Sequence, residues 1–297
     1  MTDRLLGSGL IIVDKPAGMT SHDVISRLRR IFRTRRVGHA GTLDPMATGV
    51  LVVGIERGTR FLAHLVTETK TYRATIRLGA STTTDDAEGG ITSRTETTDV
   101  TDTLIDAAIA QLTGDIMQKP AAVSAIKIDG KRAHERVRDG ETVDIPARPV
   151  TVHRFDVLDR RSVDGYIDLD VDVFCSSGTY IRSLARDLGN ALGVGGHLTA
   201  LRRTTVGPFD LTHARTLEEL EDNPQLSLTL DQALAASFPI LRVSGEEGHK
   251  LAMGQWLEPR GLKGIHAAVT PDGQAVALVK EKGKRLATVF VARPSTL

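Results

Sequence analysis

A chain of 297 residues with 40% apolar and 25% charged residues has the composition of an ordinary packed protein, with room for one large domain and a small one. Its single cysteine, Cys175, excludes an intramolecular disulfide and a cysteine-built zinc site, which fits a reducing cytoplasm. The net charge of +1 gives no global pull on nucleic acid. No signal-peptide pattern opens the chain and its apolar runs are too short to span a membrane, so a soluble, cytoplasmic protein is expected.

Leu10 to Val13 reads as a short buried strand. Thr20 with Asp23 three residues on predicts a helix cap, and Val24, Ile25, Leu28 and Ile31 give the apolar stripe of the helix that follows. Val50 to Ile55 predicts a second buried strand. Lys70 to Leu78 alternates, with Tyr72, Ala74, Ile76 and Leu78 on one face, as a half-buried strand does. Ser81 to Arg94 is expected to be a polar loop. Leu104 to Leu112 has helical spacing, and Ile167 to Val173 alternates again. A helix through Tyr180, Leu184 and Leu188 is expected to end at Gly193. Strands and helices without regular alternation predict an α+β fold with a mixed, largely antiparallel sheet.

Two boundaries are expected. Residues 115–148 are basic and poor in large apolar residues, which suggests an excursion from the main domain. Near Ser237 the pattern turns to short strands with glycine turns. The expected organisation is a domain over 1–236 and a small β-rich domain over 237–297. Basic residues crowd Arg27 to Arg36 and Lys119 to Arg138, a distribution suited to local phosphate contact.

The most informative string is Gly38-His-Ala-Gly-Thr-Leu-Asp-Pro-Met-Ala-Thr-Gly-Val-Leu51. Pro45 biases Asp44 away from helix and fixes its own φ. Gly41 and Gly49 permit sharp turns on either side. The pattern predicts a carboxylate on a stiff loop at a sheet edge.

The string resembles the signature of the TruB family of bacterial tRNA pseudouridine-55 synthases. Asp14-Lys-Pro-Ala-Gly-Met-Thr-Ser21, Lys70-Thr-Tyr-Arg73, Ser177-Gly-Thr-Tyr-Ile-Arg182 and Gly195 to Arg203 resemble further family motifs, in the same chain order. The resemblance spans about residues 8 to 235. It departs from the family pattern at Val123-Ser124-Ala125 and at Ser81 to Thr84. It implies that Asp44 is the catalytic carboxylate, that Tyr72 lies against the target base and that Arg182 pairs with the aspartate. It further implies that Tyr180 and Leu201 line the pocket and that His39 lies near the flipped nucleotide. By the same resemblance 115–148 is a thumb gripping the T-arm of tRNA, with Lys127, Lys131, Arg132, Arg136, Arg202 and Arg203 as RNA contacts. The segment 237–297 would then be PUA-like and RNA-binding. Neither a metal, nor an organic cofactor, nor an obligatory protein partner is implied, and a monomer is expected.

The reaction breaks the N1–C1′ bond of a uridine and joins C5 to C1′, without redox change. A carboxylate could stabilise charge at C1′, attack C1′ as in glycosidases, take a proton from C2′, or add to C6. The resemblance implies the C2′ route. Three other features invite a site and are read as structural. Asp168, Asp170 and Asp172 are expected to be a solvated strand face, His134-Glu135 a surface pair, and Trp256 a core residue. The rival functions are a non-catalytic RNA-binding or RNA-folding protein, and a synthase of the same fold acting on ribosomal RNA.

Overall fold

The structure is a computed structural model, and it describes residues 5, 7–66, 68–121, 127–128, 131–132 and 145–295. The residues gather into two compact units. One takes Pro45 and the residues before it, Gly49–Val66, and Val206 onward; the other takes Met46–Thr48 and Thr67–Thr205.

In the first unit the buried strand Gly9–Lys15 pairs antiparallel with Thr48–Ile55, in register from Gly9 opposite Ile55 to Lys15 opposite Gly49. Val37–Ala40 continues the sheet beyond Thr48–Ile55, and Ala214–Arg215 adds a parallel edge along Ile12 and Val13. The helix Ser21–Ile31 starts at the expected capping box of Thr20 and Asp23 and buries Val24, Ile25 and Leu28. One arginine of its basic face is already neutralised: Arg27 reaches Glu221 at 2.6 Å and Glu218 at 3.4 Å.

The C-terminal residues carry the sheet order Ile240–Arg242, Ile265–Val269, Ala275–Lys282, Arg285–Val291, antiparallel except for the first pair. Its helix, Gly245–Ala252, is absent from the sequence expectation. One side of this sheet, through Ala267, Leu278 and Phe290, shares a core with Leu10, Ile12, Val50 and Phe61. The other, through Ala268, Ala277 and Val279, packs with Leu251, Leu257 and Leu286 in a core of its own.

In the second unit the strands run Gly196–Val206, Lys70–Leu78, Tyr166–Cys175, Arg148–Val163, Gly114–Gln118. The last four pair antiparallel, which matches the expected fold class. The helix Ile181–Ala191 packs so closely on the Gly195-Gly196 turn that a Cβ at Gly189 would lie 2.1 Å from the Gly195 carbonyl carbon.

Several expectations are corrected. Ser81 to Arg94 is not all loop, because Ala80–Thr82 and Ile91–Arg94 form a two-stranded ladder. Arg148–Val163 went unseen because register shifts at Val152/Arg154 and Val157/Asp159 break its alternation. The aspartates of Tyr166–Cys175 are not a solvated face. Asp168 is buried and takes a bidentate contact from Arg77, Asp170 binds Arg161 and Thr75, and Asp172 binds Arg154. Cross-strand pairing sets Asp168 opposite Arg77 and Asp172 opposite Arg73, so cations meet each carboxylate. Trp256 is not core: it is 46% exposed. His134 and Glu135 lie outside the described residues.

Candidate active site

Asp44 is held through its neighbours. The hydroxyl of Ser21, at the start of its helix, accepts from the Leu43 N–H at 2.9 Å and donates to the Leu43 carbonyl at 3.1 Å. On the other side the Pro45 carbonyl accepts from the Gly18 N–H at 2.8 Å and from Lys15 Nζ at 3.3 Å. Lys15 is fully buried, and its ammonium also donates to the carbonyls of Met19 at 2.6 Å and Pro16 at 2.8 Å. Three acceptors meet its three donors, which offsets the cost of burying the charge. Gly18 and Gly41 turn with φ of 81° and 78°, in the left-handed region that glycine enters without strain. The stretch Asp14 to Ser21 is therefore a brace for the Asp44 loop, a role the sequence reading did not assign. Asp44 itself is half-buried. His39 lies in the same unit on Val37–Ala40, opposite Val53.

Tyr72, Tyr180, Arg182, Leu201, Arg202 and Arg203 lie in the second unit. Tyr72 is buried on the face of Lys70–Leu78 that also carries Lys70, and pairs with Val173. Tyr180 caps the Ile181–Ala191 helix. Gln118, almost wholly buried, grips its backbone twice: Oε1 accepts from the Tyr180 N–H at 2.8 Å and Nε2 donates to its carbonyl at 3.1 Å. Arg182 is buried beside Asp86, 3.6 Å from its carboxylate, and donates to the Thr84 carbonyl at 3.0 Å. Arg186, one turn on, meets Asp85 at 3.1 Å; burial raises the Asp85 carboxyl, and Arg186 and Arg182 oppose that rise. Gln118, Asp85 and Asp86 were missed as holders of the arginine motif. The only signal was the Asp86-Ala-Glu-Gly89 segment.

Leu201 is buried on Gly196–Val206. Arg202 donates to the Thr48 hydroxyl at 3.2 Å, four residues along the chain from Asp44. Arg203 is corrected as an RNA contact: at 1% exposure its guanidinium has no face to offer a phosphate. It lies near Lys70, whose ammonium burial brings down to about 8, with the Arg203 charge acting in the same direction. Of the expected thumb contacts, Lys127 and Lys131–Arg132 sit on two short antiparallel strands, Lys127 opposite Arg132. Arg136 lies outside the described residues.

Residues 29–181 match the model of the TruB family pseudouridylate synthase N-terminal domain. The chain belongs to the TruB family. Residues 182–236 match the tRNA pseudouridylate synthase B C-terminal domain, and 238–293 match tRNA pseudouridine synthase II, C terminal. Among TruB relatives, the tRNA pseudouridine synthase B of Corynebacterium efficiens is 72% identical over 297 residues, 100% of both chains. That of Nocardia farcinica is 60% identical over 289 residues, 97% of this chain and 94% of its own. The TruB chain also resembles a chain of a Cbf5-Nop10-Gar1 complex, with a TM-score of 0.74 at 27% identity over 98% of this chain and 87% of that one. A chain of an H/ACA RNP bound to a substrate RNA containing 2′-deoxyuridine gives a TM-score of 0.72 at 26% identity, over 96% and 85%. These likenesses establish the pseudouridine synthase fold. Among the described residues no helix is long and apolar enough to cross a membrane.

Proposed function

We propose that this TruB-family chain converts uridine 55 in the T-loop of tRNA to pseudouridine, with Asp44 as the catalytic carboxylate. The chain is a tRNA pseudouridine synthase; the position and the residue roles are the proposal. The observation that carries it is the bracing of Leu43 and Pro45 on either side of Asp44. A loop pinned at both neighbouring residues holds its carboxylate in a fixed geometry, as a group that must meet one sugar carbon requires.

In this reading the uridine leaves the folded loop, at a cost of a few kcal/mol. Tyr72 offers it a stacking surface, Tyr180 and Leu201 wall the pocket, and Arg182 serves the carboxylate. His39 stands near the flipped nucleotide. The reaction needs a carboxylate that can take a proton from C2′ or act at C1′. Lys127, Lys131, Arg132 and Arg136 of the 115–148 insertion contact the T-arm, Arg202 adds a contact beside the loop, and 237–297 is a PUA-like RNA-binding domain. The protein works as a cytoplasmic monomer without an obligatory protein partner.

The test is Asp44→Asn in the full chain. It should abolish pseudouridine formation in T-arm RNA while RNA affinity and thermal unfolding stay near those of the parent. Turnover near the parent rate would remove Asp44 from the chemistry. Pseudouridine mapped only at another position, or only in ribosomal RNA, would overturn the T-loop assignment.

A further inference from the structure

We propose that Trp256, with Arg285 over its ring and Lys282 opposite Arg285 in the hairpin, is a stacking site for unpaired nucleotides of RNA. The proposal rests on the reading of tRNA as substrate and of 237–297 as RNA-binding, and it names the side chains of that segment that meet the base.

Trp256 is the chain's only tryptophan and stands 46% exposed, although burying an aromatic ring is among the larger gains available to a folding chain. The exposure is not looseness. The next residue, Leu257, is buried and locked to Leu286 by reciprocal backbone bonds of 3.0 and 2.8 Å. The guanidinium of Arg285 sits over the ring, 4.8 Å from its centroid, and fixes it from one side. The ring also lines a cavity of about 690 Å³, within the size range of pockets that take small molecules.

The cavity wall itself is balanced, with Glu247 and Glu258 against Lys250 and Arg260, and the excess positive charge lies on the neighbouring hairpin. Lys282 stands directly opposite Arg285 in the hairpin, and Lys280 opposite Ala287, so by strand alternation Lys280, Lys282 and Arg285 share one face. Like charges directly opposite each other destabilise a hairpin. Elsewhere Arg27, Arg154, Arg161 and Arg260 are each met by a carboxylate. Among the described residues, Lys280, Lys282, Lys284 and Arg285 have no such ion pair. The acidic side chains of the cavity wall are Glu247, engaged by Arg260 and by the Ser244 N–H, and Glu258.

A fixed half-exposed ring beside uncompensated cations matches a ligand with negative charge and a flat face at short repeat. Single-stranded RNA supplies both in each nucleotide. An acidic peptide supplies only the charge, and a duplex keeps its bases stacked away from the ring.

The sole tryptophan makes the site its own reporter. The full chain is titrated with a mixed-sequence single-stranded RNA, with an RNA duplex and with polyglutamate, reading tryptophan emission alongside the anisotropy of labelled RNA. Single-stranded RNA should quench the emission saturably, and Lys282→Ala with Arg285→Ala should weaken that quench about 10-fold. The paired substitution should also flatten the logarithmic salt slope by roughly 0.7 for each phosphate that is no longer neutralised. Trp256→Ala should lower single-strand affinity about 10-fold and Trp256→Phe far less, with circular dichroism confirming both folds. Emission that stays constant while anisotropy saturates would overturn the proposal, as would an equal quench by duplex or by polyglutamate. Failure of the Asp44 assignment would leave the emission titration unchanged, so the two readings fail separately.

Discussion

The hydroxyl of Ser21 holds both backbone groups of Leu43, accepting from its N–H at 2.9 Å and donating to its carbonyl at 3.1 Å. One side chain at a helix start thereby fixes the residue before Asp44, and both ends of the contact are buried. Ser21→Ala leaves a buried donor and acceptor without this partner, a loss of about 1–3 kcal/mol. It should lower the unfolding temperature and cut single-turnover rate about 10- to 100-fold at saturating tRNA, because a small misplacement of a reacting group is costly. RNA affinity should stay within about twofold. A destabilised variant with parent single-turnover rate would show that the brace serves the fold alone.

Lys70 gives a prediction in pH. Burial lowers its ammonium from the ordinary 10.5 to about 8. Between these values the unfolded chain holds a proton that the folded chain has released, so stability rises with pH across that window. Below about pH 8 both states are protonated and the folded state bears the full cost of the buried charge. Lys70→Met should therefore stabilise the protein at pH 7 by roughly 1–3 kcal/mol, with the advantage shrinking between pH 8 and 10.5. Urea unfolding followed by circular dichroism at several pH values checks it. A difference that widens with rising pH would contradict the burial account.

The insertion should supply affinity and not chemistry. Lys131 and Arg132 lie on a short strand of a separate two-stranded sheet, outside the sheet that carries Tyr72. Lys131→Ala with Arg132→Ala should weaken tRNA binding and flatten its salt dependence by roughly 0.7 to 0.9 for each phosphate set free. The single-turnover rate at saturating RNA should hold. Unchanged binding with a collapsed saturated rate would place the insertion in the catalytic site.

The sequence displayed what local chemistry writes plainly. The capping box at Thr20, the alternation from Lys70 to Leu78 and the Asp44-Pro45 loop between turning glycines each depend on a few adjacent residues, and each is present. What stayed hidden depends on partners far along the chain. The strand Arg148–Val163 carries bulges that scramble its two faces, so no period survives in the sequence. Asp168 reads as a surface carboxylate until Arg77, 91 positions away, is set opposite it. Arg203 reads as an RNA contact because arginine is usually exposed, and only packing shows it buried. Lys15 and Ser21 were visible as part of a motif, but their work on Leu43 and Pro45 appears only when the loop folds back.

The grip of Gln118 on the backbone of Tyr180 has a practical consequence for rebuilding this protein. Gln118 ends the strand with which the 115–148 insertion begins, while Tyr180 opens the helix bearing Arg182. The insertion is thus mortised at its root into the frame of the arginine motif, and the joint lies upstream of every lysine and arginine expected to touch RNA. Transplanting a thumb from another synthase is sound only with the seam placed after Gln118. A seam before it exchanges the joint together with the grip, and would leave the N-terminus of the arginine helix without its fastening.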